Sequence, residues 1–153
     1  MRGLEHRIPP PLVGLIVAAA MYGIHEVAAP MRFAFQGHVV LALVIGAAAL
    51  AVDISGVVAF LRARTTVNPL RPDKASTLVT GGIFRRTRNP MYLGMAMLLV
   101  GWAVYLANPL TLLGIPAFVA YLNRFQIAPE ERALEQRFGA DYRGYRARVR
   151  RWL

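Results

Sequence analysis

The chain has 153 residues and a formal net charge of +10, and 56% of its residues are hydrophobic whereas only 17% are charged. This composition is too apolar for an ordinary soluble domain and favours a membrane protein built as one domain. The absence of cysteine excludes disulfides, thiolate catalysis and cysteine-ligated metal sites.

Four apolar stretches predict an all-α integral membrane bundle of about four transmembrane helices. They cover residues 12–29, 39–61, 91–107 and 110–123. Each approaches the roughly 17–25 residues that a helix needs to cross the hydrocarbon, the last one if Arg124 and Gln126 extend their polar ends to the interface. We interpret 1–153 as a single membrane domain: two N-terminal spans in 12–61, a basic loop in 62–90, a hairpin in 91–126 that turns at Asn108-Pro109, and a C-terminal segment in 127–153.

The positions of the basic residues indicate the orientation of the chain. The loop carries seven of them: Arg62, Arg64, Arg71, Lys74, Arg85, Arg86 and Arg88. Seven more follow Pro129, whereas the first connection has only Arg32 and the hairpin turn has none. The positive-inside rule therefore places loop, C-terminal segment and both termini in the cytoplasm, which predicts a protein of the prokaryotic cytoplasmic (inner) membrane. A secretory signal ending at 27–29 is the alternative interpretation of the first stretch.

The same charge has two possible partners, anionic lipid and nucleic acid. Membrane lipids are favoured, because the basic residues flank the apolar stretches and no aromatic-basic recognition motif accompanies them. We therefore predict no nucleic-acid partner. The sequence leaves the oligomeric state open, although the small residues of 46–56 favour packing within the bundle over packing between protomers.

The C-terminal segment predicts an amphipathic helix. Leu134, Phe138, Tyr142 and Tyr145 recur at helical spacing among charged residues, and Gly139 predicts a break in the helix. Such a helix can lie in the membrane interface with its aromatic side chains at the acyl boundary. Alternatively, it forms with the polar loop the roof of a pocket at the cytoplasmic mouth of the bundle.

Two polar elements flank the cytoplasmic ends of the hairpin. The stretch RRTRNPMYLGM, residues 85–95, directly precedes and enters the third apolar stretch, and Glu130-Glu131 follows the fourth. We expect both elements to meet at one mouth, where carboxylates would attract a cation while arginine, amide and tyrosine groups would bind polar parts of a ligand. A purely structural role remains the alternative for the two acids, because carboxylates at a helix start complement the helix dipole.

Two longer stretches carry a resemblance: LVTGGIFRRTRNPMYLGM, and after the hairpin APEERALEQRFGADYRGYRARVRRWL. Together they resemble the integral-membrane methyltransferases of the isoprenylcysteine carboxyl methyltransferase and phospholipid methyltransferase superfamily, over about residues 65–153. Asn89 stands where the isoprenylcysteine branch usually has histidine, and the NPMY form is more similar to phosphatidylethanolamine N-methyltransferases. An amide in that place can hydrogen-bond but cannot titrate.

The resemblance implies S-adenosyl-L-methionine bound at the cytoplasmic mouth and a lipophilic methyl acceptor that enters from the bilayer. The positions that match the motifs are the candidates for cofactor binding: Arg88, Asn89, Pro90, Tyr92, Gly94, Glu130 and Glu131. The catalytic candidates are Arg124 and Glu131. Arg124 would orient a carboxylate acceptor, unless it only extends to the membrane interface. For an amine acceptor, Glu130 or Glu131 would take up the proton.

Several features leave alternatives open. The acceptor could be an isoprenylcysteine-like carboxylate, a lipid headgroup amine or a thiol. A nicotinamide-dependent membrane reductase related to the sterol C14-reductases and a noncatalytic lipid-binding membrane protein are the competing functions. No metal site is predicted, because His6, His25 and His38 are scattered. Asp53 lies inside the second stretch, where a carboxyl group should face the bundle and either find a partner or be protonated.

Overall fold

The computed structural model of the protein describes residues 8–63 and 77–153, and every regular element in these ranges is helical. The long helices are α1 (Pro10–Val27), α2 (His38–Arg62), α3 (Pro90–Leu106), α4 (Gly114–Leu122) and α5 (Ala128–Arg148). Short 3-10 turns lie at Ala29–Met31, Gly82–Arg85 and Pro109–Leu113, and a π-helical segment at Asn123–Ile127 connects α4 to α5. The all-α prediction is confirmed for the described residues, whereas Arg64, Arg71 and Lys74 of the basic loop lie outside them.

Three helical stretches are long and apolar enough to cross a membrane: Pro10–Val27, His38–Arg62 and Pro109–Arg148. The apolar part of the third ends at Ile127, because Glu130, Glu131 and Arg132 follow it. The α3 helix is also apolar but has only 17 residues. The membrane character predicted from the sequence is therefore confirmed, with three candidate spans and one shorter apolar helix within residues 8–63 and 77–153.

Proline and asparagine determine where the hairpin of α3 and α4 begins and turns. Pro90 starts α3, where its fixed φ suits the first turn and its missing N–H leaves no bond unmade. After Leu106 the chain turns through Ala107, whose φ is +47°. The Asn108 side chain then accepts a hydrogen bond from the Leu110 amide at 3.1 Å and donates one to the Ala28 carbonyl at 3.1 Å. The predicted turn at Asn108-Pro109 is therefore present, and it is tied to the end of α1.

The α2 helix packs most extensively against α3, through small residues. Gly56 lies against the side chains of Pro90 and Met91. Asp53 faces Gly94, where a Cβ atom would overlap its carboxyl group, and its buried Oδ1 has no hydrogen-bond partner among the described residues. The prediction that Asp53 faces the bundle is confirmed, and glycine is required at position 94 because the two helices approach closely there.

Two hydrophobic clusters hold the remaining elements together. The larger one joins α1, α3 and α4 around fully buried Met21, Phe118 and Leu122. The smaller one joins α5 to the segment before α3, because Tyr142 and Tyr145 pack against Phe84. The Tyr145 hydroxyl also donates a hydrogen bond to the Phe84 carbonyl at 2.7 Å. The Tyr142 and Tyr145 side chains of α5 are thus buried against protein.

The predicted break in α5 is present at one residue. Gly139 has φ +51° and ψ −116°, outside the helical region, and the helix continues on both sides of it. Glycine adopts such a positive φ without steric cost. The kink therefore separates the half of α5 that carries Glu130 and Glu131 from the half that carries Tyr142 and Tyr145.

Replacing Gly94 by alanine is expected to destabilise the protein by about 1–3 kcal/mol, because the new methyl group would overlap the Asp53 carboxyl group. Thermal unfolding in detergent measures this as a lower Tm. Gly46→Ala is the matched control, since nothing lies within 4 Å of a Cβ atom at that position. Adding Asp53→Ala to Gly94→Ala should restore part of the loss. Equal Tm values for the two single variants would contradict this account.

Candidate active site

Residues 85–90, called here the lip, form a tight turn that leads into α3. The fully buried Thr87 hydroxyl accepts a hydrogen bond from the Asn89 amide at 3.1 Å, and the Thr87 amide donates to the Ile83 carbonyl. Local bonds of this kind by a threonine hydroxyl stabilise turns. The turn brings Arg88 to a largely buried position, with 11% of its side chain exposed.

Tyr92, in the first turn of α3, meets Glu130 of α5. The Tyr92 hydroxyl donates a hydrogen bond to Glu130 Oε1 at 2.6 Å, and the Gln126 amide donates to the same oxygen at 2.6 Å. Both partners are uncharged and neither of these bonds uses Oε2. Burial raises the pKa of Glu130 to about 7, although the two hydrogen bonds oppose this shift. Glu130 is thus a buried carboxyl group with a pKa close to neutrality.

Glu131, the next residue, has two cationic partners. Arg151 contacts both of its oxygens, at 2.6 Å from Nη2 to Oε2 and at 3.0 Å from Nε to Oε1. Arg88 Nη2 lies 3.1 Å from Oε1. The Glu131 side chain is only 13% exposed, so its charge is neutralised by two guanidinium groups within the protein. The adjacent acids therefore have different environments.

Arg88 retains hydrogen-bonding capacity after this ion pair. Its Nε and Nη1 atoms are buried and have no hydrogen-bond partner among the described residues. Buried donors without a partner are uncommon because each one costs free energy of desolvation. These N–H groups are suited to an anionic group of a ligand.

The C-terminal tail, residues 149–153, crosses the lip. The Arg150 carbonyl accepts a hydrogen bond from the Arg88 amide at 3.0 Å. The Arg151 carbonyl accepts two, from Thr87 Oγ1 at 3.2 Å and from Asn89 Nδ2 at 2.9 Å. The side-chain amide of Asn89 therefore binds the backbone of the tail.

The other side of the tail contacts the π-helical segment. The Trp152 indole N–H donates a hydrogen bond to Asn123 Oδ1 at 3.1 Å, and the Trp152 ring packs against the larger hydrophobic cluster. Arg151 Nη1 contacts the same oxygen at 3.4 Å. The tail thus joins the lip to the end of the second hairpin helix. Segments of π-helix are frequent at functional sites, in agreement with this position.

The candidate residues from the sequence fall into three groups. Arg88, Tyr92, Glu130 and Glu131 come together at the end of the hairpin where α3 begins, and Asn89 of the lip lies beside them, hydrogen-bonded to the tail. Pro90 and Gly94 instead contact α2, through Gly56 and Asp53. The Arg124 side chain is exposed and has no polar contact with the described residues.

Sequence reasoning missed five residues that complete the cluster: Thr87, Asn123, Gln126, Arg151 and Trp152. Gln126 had a usable signal, because it lies four residues before Glu130 and such pairs face each other on a helix. Asn123 was also recognisable as a polar residue at the end of an apolar stretch. The tail had no such signal, because its contacts with the lip join residues more than 60 positions apart.

A cavity of about 690 Å³ lies elsewhere, between α2 and residues 78–83. Its lining includes Ile54, Val58, Arg62 and Leu78 but none of the candidate site residues. We therefore do not assign it to the cluster of Arg88, Tyr92 and the two glutamates.

Several known proteins are similar to this chain in sequence. The sequence profile described as phospholipid methyltransferase matches residues 37–141. An uncharacterized protein of Haemophilus influenzae is 48% identical over 63 residues, which is 41% of this chain and all of that protein. Protein-S-isoprenylcysteine O-methyltransferase B of Arabidopsis thaliana is 33% identical over 88 residues, and a probable protein-S-isoprenylcysteine O-methyltransferase of Oryza sativa is 36% identical over 91 residues.

The match covers 58% of this chain in both plant comparisons but only 45% of the Arabidopsis protein and 46% of the Oryza protein. The chain therefore spans less than half the length of these curated relatives. No solved structure matches it. Because the family profile covers more than half of the chain, including the lip, the hairpin and both glutamates, the chain belongs to the phospholipid methyltransferase family of membrane methyltransferases.

Proposed function

We propose that this protein transfers a methyl group from S-adenosyl-L-methionine to a lipophilic acceptor in the membrane, such as an isoprenylcysteine-like carboxylate or a lipid headgroup. The observation that carries the proposal is the cluster at the end of the hairpin, where Arg88 contacts Glu131 and Tyr92 contacts Glu130. This cluster lies in the region that the family profile matches. Membership of a methyltransferase family supports the reaction type.

The residues of the cluster fit the groups of this cofactor. S-adenosyl-L-methionine supplies a methyl group on a positively charged sulfur, and it also carries a carboxylate, an ammonium group and an adenine. The buried Nε and Nη1 of Arg88 would bind the carboxylate. Oε2 of Glu130, unused by Tyr92 and Gln126, would face a cationic group.

Glu130 is better suited than Glu131 to accept a proton. An amine acceptor must lose a proton during methylation, and a base works best when its pKa lies near the working pH. Glu130 has a pKa of about 7, whereas Glu131 is held by two guanidinium groups. We therefore assign the role of base for an amine to Glu130 and propose that Glu131 positions Arg88. A carboxylate acceptor needs no base, and Arg124 is the proposed residue to orient it.

The proposed arrangement in the membrane has four spans, with α3 as the third. Both termini, the basic loop and α5 would then lie on the cytoplasmic side of a prokaryotic inner membrane. The exposed apolar side chains of α1 and α2, among them Leu15 and Leu43, would contact lipid. The acceptor would enter sideways from the bilayer, where it is dissolved. Membrane lipids are therefore the proposed partners besides cofactor and acceptor.

Calorimetry tests cofactor binding directly. The detergent-solubilised protein should bind S-adenosylhomocysteine saturably, and Arg88→Ala should weaken the affinity by about tenfold or more, because hydrogen bonds to charged groups are strong. Arg86→Ala is the matched control, since its side chain is exposed in the same basic stretch. Titration with NADPH addresses the reductase alternative. Absence of heat with either ligand would instead support a noncatalytic lipid-binding protein.

The pH dependence of stability tests the environment of Glu130. The pKa of Glu130 in the folded protein is about 7, above the ordinary value of 4.5. The contribution of Glu130 to the free energy of unfolding is therefore fully present below pH 4.5 and is lost as the pH rises through 7. Glu130→Gln should remove this loss and raise the free energy of unfolding at pH 8 by about 3 kcal/mol at most. Tm measured between pH 5 and 8 reports the effect. Asp141→Asn, at an exposed position of α5, is the control. An unchanged slope in Glu130→Gln would contradict the assignment.

The role of Arg124 is tested by kinetics rather than by binding. Arg124→Gln should lower kcat for a carboxylate acceptor by about tenfold or more through the loss of a charge-assisted hydrogen bond. The affinity for S-adenosylhomocysteine should not change, because Arg124 does not contact the cluster. An unchanged kcat with carboxylate acceptors would show that Arg124 serves only the membrane interface.

A further inference from the structure

Arg151, and not Arg88, forms the paired hydrogen bonds to both carboxylate oxygens of Glu131. Its guanidinium group occupies both carboxylate oxygens, through Nη2 at 2.6 Å and Nε at 3.0 Å. Within the described residues Arg88 makes one contact with Glu131, from Nη2 to Oε1 at 3.1 Å, and the Tyr142 hydroxyl is a neutral polar neighbour of its guanidinium group. Its other two nitrogen atoms, Nε and Nη1, are buried without a partner among the described residues. The two donors of Arg88 are thus unpaired in the same arrangement in which Arg151 binds both oxygens of Glu131.

We propose that Arg151 is a positioning residue that keeps Arg88 available for an anionic group of the bound ligand. The inference rests on the proposed function and names the group involved, which is the carboxylate of the cofactor. Arg151 need not touch the ligand to act in this way. It competes with Arg88 for Glu131 and so prevents the second guanidinium group from closing on the same carboxylate.

The geometry of the two ions explains why this competition matters. A carboxylate and a guanidinium group pair most strongly through two parallel hydrogen bonds. Glu131 has two oxygens, and Arg151 already forms such a pair with them. Without Arg151, Arg88 would gain by turning Nε or Nη1 onto Glu131, because its unpaired buried donors cost free energy. The subsite for the anion would then be filled by the protein itself.

The backbone of the tail holds both arginines in place. The Arg150 carbonyl binds the Arg88 amide, and the Arg151 carbonyl binds Thr87 and Asn89 on either side of Arg88. Trp152, the residue after Arg151, donates a hydrogen bond to Asn123 and so holds this end of the tail. The Arg151 side chain is 36% exposed whereas that of Arg88 is 11% exposed, so Arg151 lies on the outer side of Glu131 and Arg88 on the inner side. Arg151 can thus hold Glu131 from the exposed side, while Arg88 can bind a ligand on the buried side.

The charges in the cluster favour an anion in the same place. Arg88 and Arg151 together carry two positive charges, and Glu131 compensates one of them. Glu130 is largely protonated below its pKa of about 7 and then contributes no compensating charge. A ligand carboxylate next to Arg88 would neutralise the remaining positive charge. The tail follows the region 37–141 that the family profile matches, so the family match itself assigns no role to Arg151.

The experiment compares two ligands in two variants. S-adenosylhomocysteine and its decarboxylated analogue differ only in the carboxylate, so the ratio of their Kd values measures the anion subsite. In the intact protein the carboxylate should improve affinity by about tenfold or more. Arg151→Gln should bring the ratio close to one while leaving the Kd of the decarboxylated analogue unchanged. Arg148→Gln is the matched control, because this exposed arginine donates a hydrogen bond to the Gly144 carbonyl of its own helix and no contact with Arg88 or Glu131 is seen within residues 8–63 and 77–153.

The double variant Arg88→Ala/Arg151→Gln should bind S-adenosylhomocysteine no more weakly than Arg88→Ala alone, because both changes remove the same subsite. Arg151→Lys gives a second test if Arg151→Gln unfolds. Lysine keeps the positive charge but cannot form the two parallel hydrogen bonds to Glu131, so the ratio of the two Kd values should fall partway towards one. Tm is measured for every variant. A tail with only a structural role would lower Tm and weaken both ligands equally.

Three results would overturn the inference. The first is an unchanged ratio in Arg151→Gln, which would leave the proposed function intact. The second is an equal loss of affinity for both ligands. The third is a protein that binds neither ligand before any substitution, which would overturn the proposed function as well.

Discussion

A carboxylate that is largely buried within the protein must be neutralised, and the site depends on how this constraint is met at Glu131. Its two partners come from distant parts of the chain: Arg88 precedes α3, and Arg151 belongs to the C-terminal tail. The Glu131 carboxylate therefore holds α5, the lip and the tail together. The tail carbonyls add hydrogen bonds to the same lip, so the ionic contact is also oriented by the backbone.

The adjacent glutamates illustrate how environment separates two identical side chains. Glu131 is paired with cations, whereas the hydrogen-bond partners of Glu130 in the described part of the chain are the neutral Tyr92 and Gln126. Burial raises the pKa of Glu130 to about 7. The doublet provides one fixed anion and one group that can change its protonation near neutral pH. For a family of membrane methyltransferases, such a pair offers separate groups for positioning and for proton transfer, which is the division of roles that we propose.

Helix packing constrains the site from the opposite side of α3. Gly94, which the sequence suggested as a contact with the cofactor, faces the Asp53 carboxyl group of α2 instead. Both interpretations start from the same property, the absence of a side chain that allows close approach. The sequence alone did not distinguish a ligand from a neighbouring helix, because either can fill the space above a glycine. The identity of the neighbour follows only from how α2 and α3 pack against each other.

The sequence by itself determined the class and course of the chain: the helical bundle, helix limits close to those observed, the turn at Asn108-Pro109, the kink at Gly139 and the family. These depend on apolar length, proline, glycine and charge placement, which act over a few residues. Only the tertiary structure decided which groups meet. The partners of Glu131, the use of Asn89 by the tail and the unpaired nitrogens of Arg88 depend on contacts across some 20 to more than 60 positions, and no local pattern in the chain encodes those distances.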